Sequence, residues 1–509
     1  MKSKLFLTLF FYWLLLSTAN LVASEIRVGF TTDALTLDPA NHRDRETETI
    51  IRNMYDGLLT RTPSMEVIPE LAVSWKQIDL QTFEFQLRRG VKFHSGDEMT
   101  AEDIRYTFER LTKKGGLGNG LTSPRQSLLA PLKEIKVVGK YAVHFILDQP
   151  WPFLPAMLPL QEVVSKKFVE RVGTKKMATH VNGTGPFKLL QWNKGKSIIM
   201  ERFEHYYGGA LAIPPVGKAC VSKVIFEVIP DNEARVSALL SGKVDIINEL
   251  PMSALKRVHA NPKTRVAKVR GTRTFFVVLN NTKPPFNDLR VRKALNHSIN
   301  KQLLVNELIG GHATAVNGVL SPDAFAFNSK LPAYQYDSSK ARKLLAEAGY
   351  PDGISVSMEV TETHKKKAEA LAKMMRKVGI QVKIVVDKKT TIKQKWLLEK
   401  KQGDMWLTSW GNSSLDPVGI LVPTLRTKGR GNYSGYSNSR VDQLLDSAGM
   451  EINRRKRASL YREAQLIINK EAPWVFLAVP HDLYGISTKI KGWQPGSDSR
   501  INLHDACKN

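Results

Sequence analysis

Hydrophobic and polar positions alternate most clearly between Thr82 and Arg88. Phe83, Phe85 and Leu87 face one way, and Glu84, Gln86 and Arg88 the other. That period of two predicts a strand with one buried face, and Pro69 to Trp75 reads as its partner across a polar turn. Ile26 to Phe30 predicts an earlier strand, leading into a loop with turn residues, Thr31 to Pro39. The period then changes. Thr47, Ile50, Ile51, Met54, Tyr55 and Leu58 recur at helical spacing and predict a helix that closes near Gly57. A second helix should start at Thr100, which can cap it. Asp103 sits at the third position, near the positive helix end, and Ile104, Tyr106, Phe108 and Leu111 supply the apolar side.

Further along, Val137 to Leu147 alternates like a strand. Val224 to Asp231, a helix from Asn232 to Ser241, the stop at Gly242 and a strand from Val244 read as a β-α-β unit, hence partly parallel sheet. Thr274 to Asn280 is a strongly apolar strand. Helices are predicted at Ala341 to Ala348, Ala368 to Val378, Val441 to Ala448 and Lys456 to Ile468. Strands are predicted at Ile380 to Val386, Trp406 to Trp410 and Trp474 to Tyr484.

The N-terminus changes the picture. Lys2 and Lys4 precede an apolar run from Leu5 to Leu16, and Ala19 to Ser24 end in small residues. Twelve apolar residues fall short of the roughly 20 that a membrane span needs, so residues 1–24 read as a signal peptide cleaved near Ala23 or Ser24. The destination expected is the periplasm. Cys220 and Cys507 are the only cysteines. In an oxidising compartment they can close one disulfide that ties down the C-terminal tail, or stay as two reduced thiols.

The formal net charge is +27. Its clusters, His364 to Lys367, Lys388-Lys389 and Arg454 to Arg457, lie in or beside helical patterns and read as solvated faces rather than a nucleic-acid surface. Enzyme signatures are missing: there is no Gly-x-Ser-x-Gly elbow, no His-Glu-x-x-His pair and no Walker loop, and the eleven histidines are scattered. The glycine run from Gly115 to Gly120 follows no strand and makes a poor phosphate cradle. No enzymatic activity, cofactor or metal is expected.

Several segments together carry a family resemblance. They are Leu37-Asp38-Pro39, Tyr55-Asp56-Gly57-Leu58, Pro69-Glu70-Leu71-Ala72-Val73-Ser74-Trp75 running on to Phe83 through Gly96, Thr184-Gly185-Pro186-Phe187, and Tyr206-Tyr207-Gly208-Gly209. In this order, from about residue 26 to about 495, they resemble the family 5 extracellular solute-binding proteins of ABC importers, the dipeptide, oligopeptide and nickel type. The resemblance implies an α/β fold of the two-lobed periplasmic binding protein kind, in the large class with an extra subdomain, with two crossing segments between the lobes. By that analogy lobe I comprises 25–277 and 484–509, lobe II 278–483, and the subdomain about 56–165. Trp75, Phe93 and Trp192 would be core aromatics, and His94 a loop histidine that satisfies backbone groups.

The same resemblance locates the cleft. Trp410-Gly411-Asn412-Ser413-Ser414-Leu415-Asp416-Pro417 is similar to the second-lobe loop that faces the ligand. Peptide-binding members carry an aspartate there for the peptide amine. Ser413 stands at that position and brings no charge, while Asp416 is expected to hold the loop. Thr361 to His364 is similar to a segment that in dipeptide-binding members is longer and holds an arginine for the carboxylate; here it has none. Both usual ionic clamps are therefore in doubt. Expected ligand contacts are Thr31, Thr32 and Asp33 beyond the first strand, with Trp410, Gly411, Asn412, Ser413, Arg426 and Tyr433 from the second lobe. The function implied is a periplasmic receptor that captures a peptide or peptide-like solute and delivers it to the membrane permease of an ABC importer. It would act as a monomer, without nucleic acid. Alternatives are a non-peptide ligand (an opine, a sugar-like anion, a metal chelate or haem), or a chaperone-like binding role.

Overall fold

The computed structural model describes residues 24–214, 216–308, 310–397 and 403–509; the expected export segment up to Ala23 lies outside them. The strand Glu25–Phe30 is inserted between two parallel neighbours, Lys223–Val228 and Ile246–Ile247. Helix Asn232–Leu240 makes the crossover, capped by the Asp231 carboxylate on the Ala234 N–H and ended at Gly242, whose φ is 78°. The β-α-β unit read from the sequence is present. An antiparallel hairpin, Phe187–Asn193 with Ser197–Arg202, extends this half of the sheet.

The other half is organised around Arg273–Leu279, an apolar strand with Met405–Gly411 and the strand Trp474–Ser487 on its two sides. Ile354–Val360 and Ile380–Val386 continue it in parallel. Trp474–Ser487 belongs to both halves. Its first residues, through Ala478, pair with Arg273–Leu279, and its last, from His481, with Thr264–Arg270. The chain therefore passes between half-sheets twice, at residues 270–273 and at residues 478–481.

A separate four-stranded sheet, Ala72–Asp79, Thr82–Leu87, Ala142–Leu147 and Leu132–Gly139, carries its own core. Phe83, Phe85 and Leu87 are buried in it, as their alternation requires. Helix Ala101–Thr112 packs on this sheet, with Thr100 and Asp103 forming a capping box. His94 satisfies backbone groups: Nε2 pairs with the Gly185 carbonyl at 3.0 Å, and Nδ1 accepts from the Gly183 N–H.

Two readings need correction. The helix expected to reach Gly57 is only Arg45–Ile51. Beyond it, the carbonyls of Asn53 and Met54 accept from the N–H groups of Phe187 and Gly185, so long-range pairing draws the chain out of the helix despite its spacing. Val137 to Leu147 is a hairpin, Leu132–Gly139 and Ala142–Leu147, turning at residues 140–141.

Cys220 and Cys507 are disulfide-bonded, with Cα atoms 5.1 Å apart. The bond and the short pairing of Cys507–Lys508 with Ile490–Lys491 fasten the C-terminal tail to the first half-sheet.

A buried ionic network lies beneath the subdomain. Arg52, Arg125 and Arg500 face Glu48, Glu70, Glu162 and Asp498. Glu162 sits 3.9 Å from Arg52, yet neither of its oxygens accepts a hydrogen bond. Burial, only partly offset by Arg125, raises its carboxyl from the ordinary 4.5 to about 7. The native chain thus holds a proton where the unfolded chain has lost it, so this group makes stability fall as pH rises from about 4.5 to about 7. Glu162→Gln should match the parent near pH 4 and exceed it by about 2–3 kcal/mol above pH 7. Urea unfolding at the two pH values measures the difference; an equal effect at both would contradict the assignment.

Candidate functional site

A cavity of about 780 Å³ opens where the two half-sheets meet the subdomain. Its walls come from all of them: Arg45, Glu46 and Thr49 on the first helix, Arg125 and Leu128 from the subdomain, Asn248 to Met252 after the strand Ile246–Ile247, Arg273, Gly411 and Ser413 from the second half-sheet, and His481 to Tyr484 on the shared strand. The volume lies within the roughly 300–1,000 Å³ typical of small-ligand sites.

Its chemistry is set by two cations without protein counter-ions. Arg45 donates to hydroxyls only: Ser499 Oγ at 3.0 Å, Ser413 Oγ at 3.0 Å and Thr272 Oγ1 at 3.5 Å. Arg273 donates to Ser409 Oγ at 3.3 Å. Neither guanidinium has a carboxylate within ion-pair distance among the described residues. Burial, reinforced by Arg45, lowers the Arg273 guanidinium from its usual value. The two meet over Gly411, where an added Cβ would lie 3.1 Å from one Arg273 nitrogen and 3.7 Å from Arg45. Gly411 is the absence of a side chain that lets them converge. Two unpaired guanidinium groups at one spot form a receptor for a carboxylate or similar anion.

The acidic side is equally definite. Asp482 accepts from Ser499 Oγ, and burial raises its carboxyl. Glu46 is raised by burial and by a hydrogen bond to Asp44. Glu249 is raised by burial, against the opposing charge of Arg235, with Asp482 adding to the rise.

The expected contacts separate. Gly411 and Ser413 line the cavity. Thr31 lies beside it, accepting from Asn248 Nδ2 at 3.3 Å, and Thr32 is exposed. Asp33 is engaged elsewhere, accepting from Trp192 Nε1 at 3.0 Å and the Gly195 N–H at 2.7 Å. Three N–H donors hold its carboxylate on the neighbouring hairpin, counting that of Ala34. Trp410 donates Nε1 to the Gly419 carbonyl at 2.9 Å, with Arg430 over its ring, and does not line the cavity. Asn412 is buried and braces the loop through the Asp416 carbonyl. Arg426 is paired with Asp446 on the surface. Tyr433 is buried against Trp406, with ring centroids 4.7 Å apart.

Arg45, Glu46, Glu249, Arg273 and Asp482 were not singled out from the sequence. One signal was available. Arg45 occupies the first turn of a helix, where a cation opposes the macrodipole, and such local conflict marks positions kept for another reason.

This architecture is the two-lobed periplasmic binding protein fold. HbpA2 from Haemophilus parasuis superposes with a TM-score of 0.87 at 23% identity, covering 96% of this chain and all of that one. The protein belongs to the bacterial extracellular solute-binding proteins, family 5, whose middle-region model matches residues 66–432, and it is a solute-binding receptor of an ABC importer. The glutathione-binding protein GsiB of Salmonella choleraesuis is 27% identical over 501 residues, covering 96% of this chain and 95% of that protein. DppA from Helicobacter pylori, solved in complex with the peptide STSA, is 28% identical with a TM-score of 0.79, covering 95% of this chain and 98% of that one.

Proposed function

We propose that the protein is a periplasmic receptor that clamps a short peptide or peptide-like solute in the cavity between its lobes and hands it to the permease without altering it. The observation that carries this reading is the cavity itself, walled by both lobes and holding Arg45 and Arg273 without counter-ions. A peptide offers a carboxylate for that pair. The names of the relatives, glutathione-binding and peptide-bound, point to the same solute class. The two passages of the chain between half-sheets, at residues 270–273 and 478–481, support a two-lobe division whose boundaries fall a few residues before the expected 277/278 and 483/484.

Closure has visible contacts. Met65 packs into the core of the second lobe, Val418 against the subdomain core, and Arg457 lies 5.8 Å above the Phe153 ring. A solute touching both walls adds binding free energy to the closed arrangement, which the permease then reads. The monomeric, non-catalytic receptor is tested by native mass spectrometry of protein taken from the periplasm, followed by small-angle scattering with the released compound. A peptide-sized mass and a smaller radius of gyration are expected. A haem or metal chelate in the cavity, or no compaction, would overturn the reading.

A further inference from the structure

The carboxylates that line the cavity differ in how they are held. Glu48 is paired with Arg500 at 2.7 Å, Asp44 accepts from the Thr47 N–H, Glu46 shares a hydrogen bond with Asp44, and Asp482 accepts from Ser499. Among the described residues, the side chain of Glu249 has neither a hydrogen-bond nor an ion-pair partner, although it is accessible and lines the cavity.

Its backbone is held in place at a cost. Glu249 has φ 48°, the left-handed region that residues with a Cβ seldom occupy. The clamp is Arg235, fully buried, whose Nε donates to the Asn248 carbonyl and Nη2 to the Glu249 carbonyl, both at 3.3 Å. Its other donors reach the Ile229 carbonyl at 2.8 Å and Asn232 Oδ1 at 2.8 Å. Asn248 is tied in turn to Thr31. Strain imposed from behind on a residue whose carboxylate has no hydrogen-bond or ion-pair partner among the described residues argues that the side chain serves something that enters the cavity.

Across the cavity, Ser413 is uncharged and already accepts from Arg45. The cavity residues on the second half-sheet, Arg273, Gly411 and Ser413, therefore supply no anion for an amine. We propose that Glu249 is the anchor for the solute's ammonium group, so that the amine is fixed on the first lobe and the carboxylate on Arg45 and Arg273. This inference rests on the peptide reading of the cavity. It makes the preferred solute zwitterionic, with a free amine, rather than a capped or purely anionic compound.

The test starts from a synthetic library of free di- to tetrapeptides, screened against the full chain by native mass spectrometry. The tightest binder is remade with an acetylated amine, and both forms are titrated calorimetrically. In the parent, acetylation should weaken binding roughly 30-fold or more. In Glu249→Gln the free-amine form should weaken by roughly 10- to 100-fold, and the acetyl penalty should shrink to about threefold or less. Glu249→Gly relieves the backbone strain while removing the carboxylate; it should show the same binding loss with a melting temperature at or above the parent's. If peptides bind but the acetyl penalty in both variants equals the parent's, the assignment of Glu249 is wrong and the peptide reading stands. If no peptide in the library binds, both fall together.

Discussion

Arg273→Gln is expected to abolish tight binding of a carboxylate-bearing solute, lowering affinity by roughly 30- to 1,000-fold, or about 2–4 kcal/mol. The size follows from what remains. A carboxylate taken from water into the cavity would meet one guanidinium in place of two, and a desolvated charge with poor compensation is expensive. The unliganded protein should not suffer in parallel. Arg273 and Arg45 repel each other, and Arg273 forms no ion pair that its loss would break. Binding should collapse while the urea midpoint holds or rises slightly. Calorimetry of the peptide found to bind, beside its C-terminal amide, measures the effect. The amide should bind weakly to the parent and lose little more in the variant. A variant that binds the free acid like the parent would remove the anion clamp from the account.

Asp416→Ala should destabilise the second lobe by about 3–5 kcal/mol. Arg457 donates to both Asp416 oxygens, at 2.8 and 2.7 Å, within a buried pocket walled by Phe325 and Tyr461. Deleting the carboxylate leaves a buried guanidinium with the Ala448 carbonyl at 3.0 Å and the Tyr461 hydroxyl at 3.3 Å as its remaining acceptors. The same carboxylate caps the turn Pro417–Gly419 through the Val418 N–H, so the loop that presents Ser413 should loosen as well. Asp416→Asn keeps the cap and one acceptor and should cost less. Urea unfolding followed by tryptophan fluorescence reports the loss. A midpoint unchanged in Asp416→Ala would show that the pair is replaced by solvent access.

These two residues also show how far the chain could be read unaided. Asp416 was legible as the brace of its loop through the resemblance of Trp410 to Pro417 to the family's second-lobe loop. Arg273 was not. It opens an apolar strand, and nothing within ten residues announces that its guanidinium will meet one from a helix 228 positions earlier. Thr31 to Asp33 were expected in the cleft because ligands gather beyond strand ends. The Asp33 carboxylate instead satisfies three N–H groups, including two from a hairpin some 160 residues away.

What the sequence determined by itself is the element pattern and its class. Buried faces at periods of two and near 3.6, with capping and stop residues beside them, depend on neighbours a few positions apart. That dependence is why Thr82–Leu87, Ala101–Thr112 and Asn232–Leu240 emerge where the pattern put them. The ordered motifs then specify the family. The tertiary structure alone decided where helix Arg45–Ile51 ends, that Cys220 meets Cys507, and which charges share one cavity. The physical reason is the range of the interactions. Backbone pairing at Met54, the convergence over Gly411 and the clamp on Glu249 join segments whose proximity arises only when the two half-sheets and the subdomain pack.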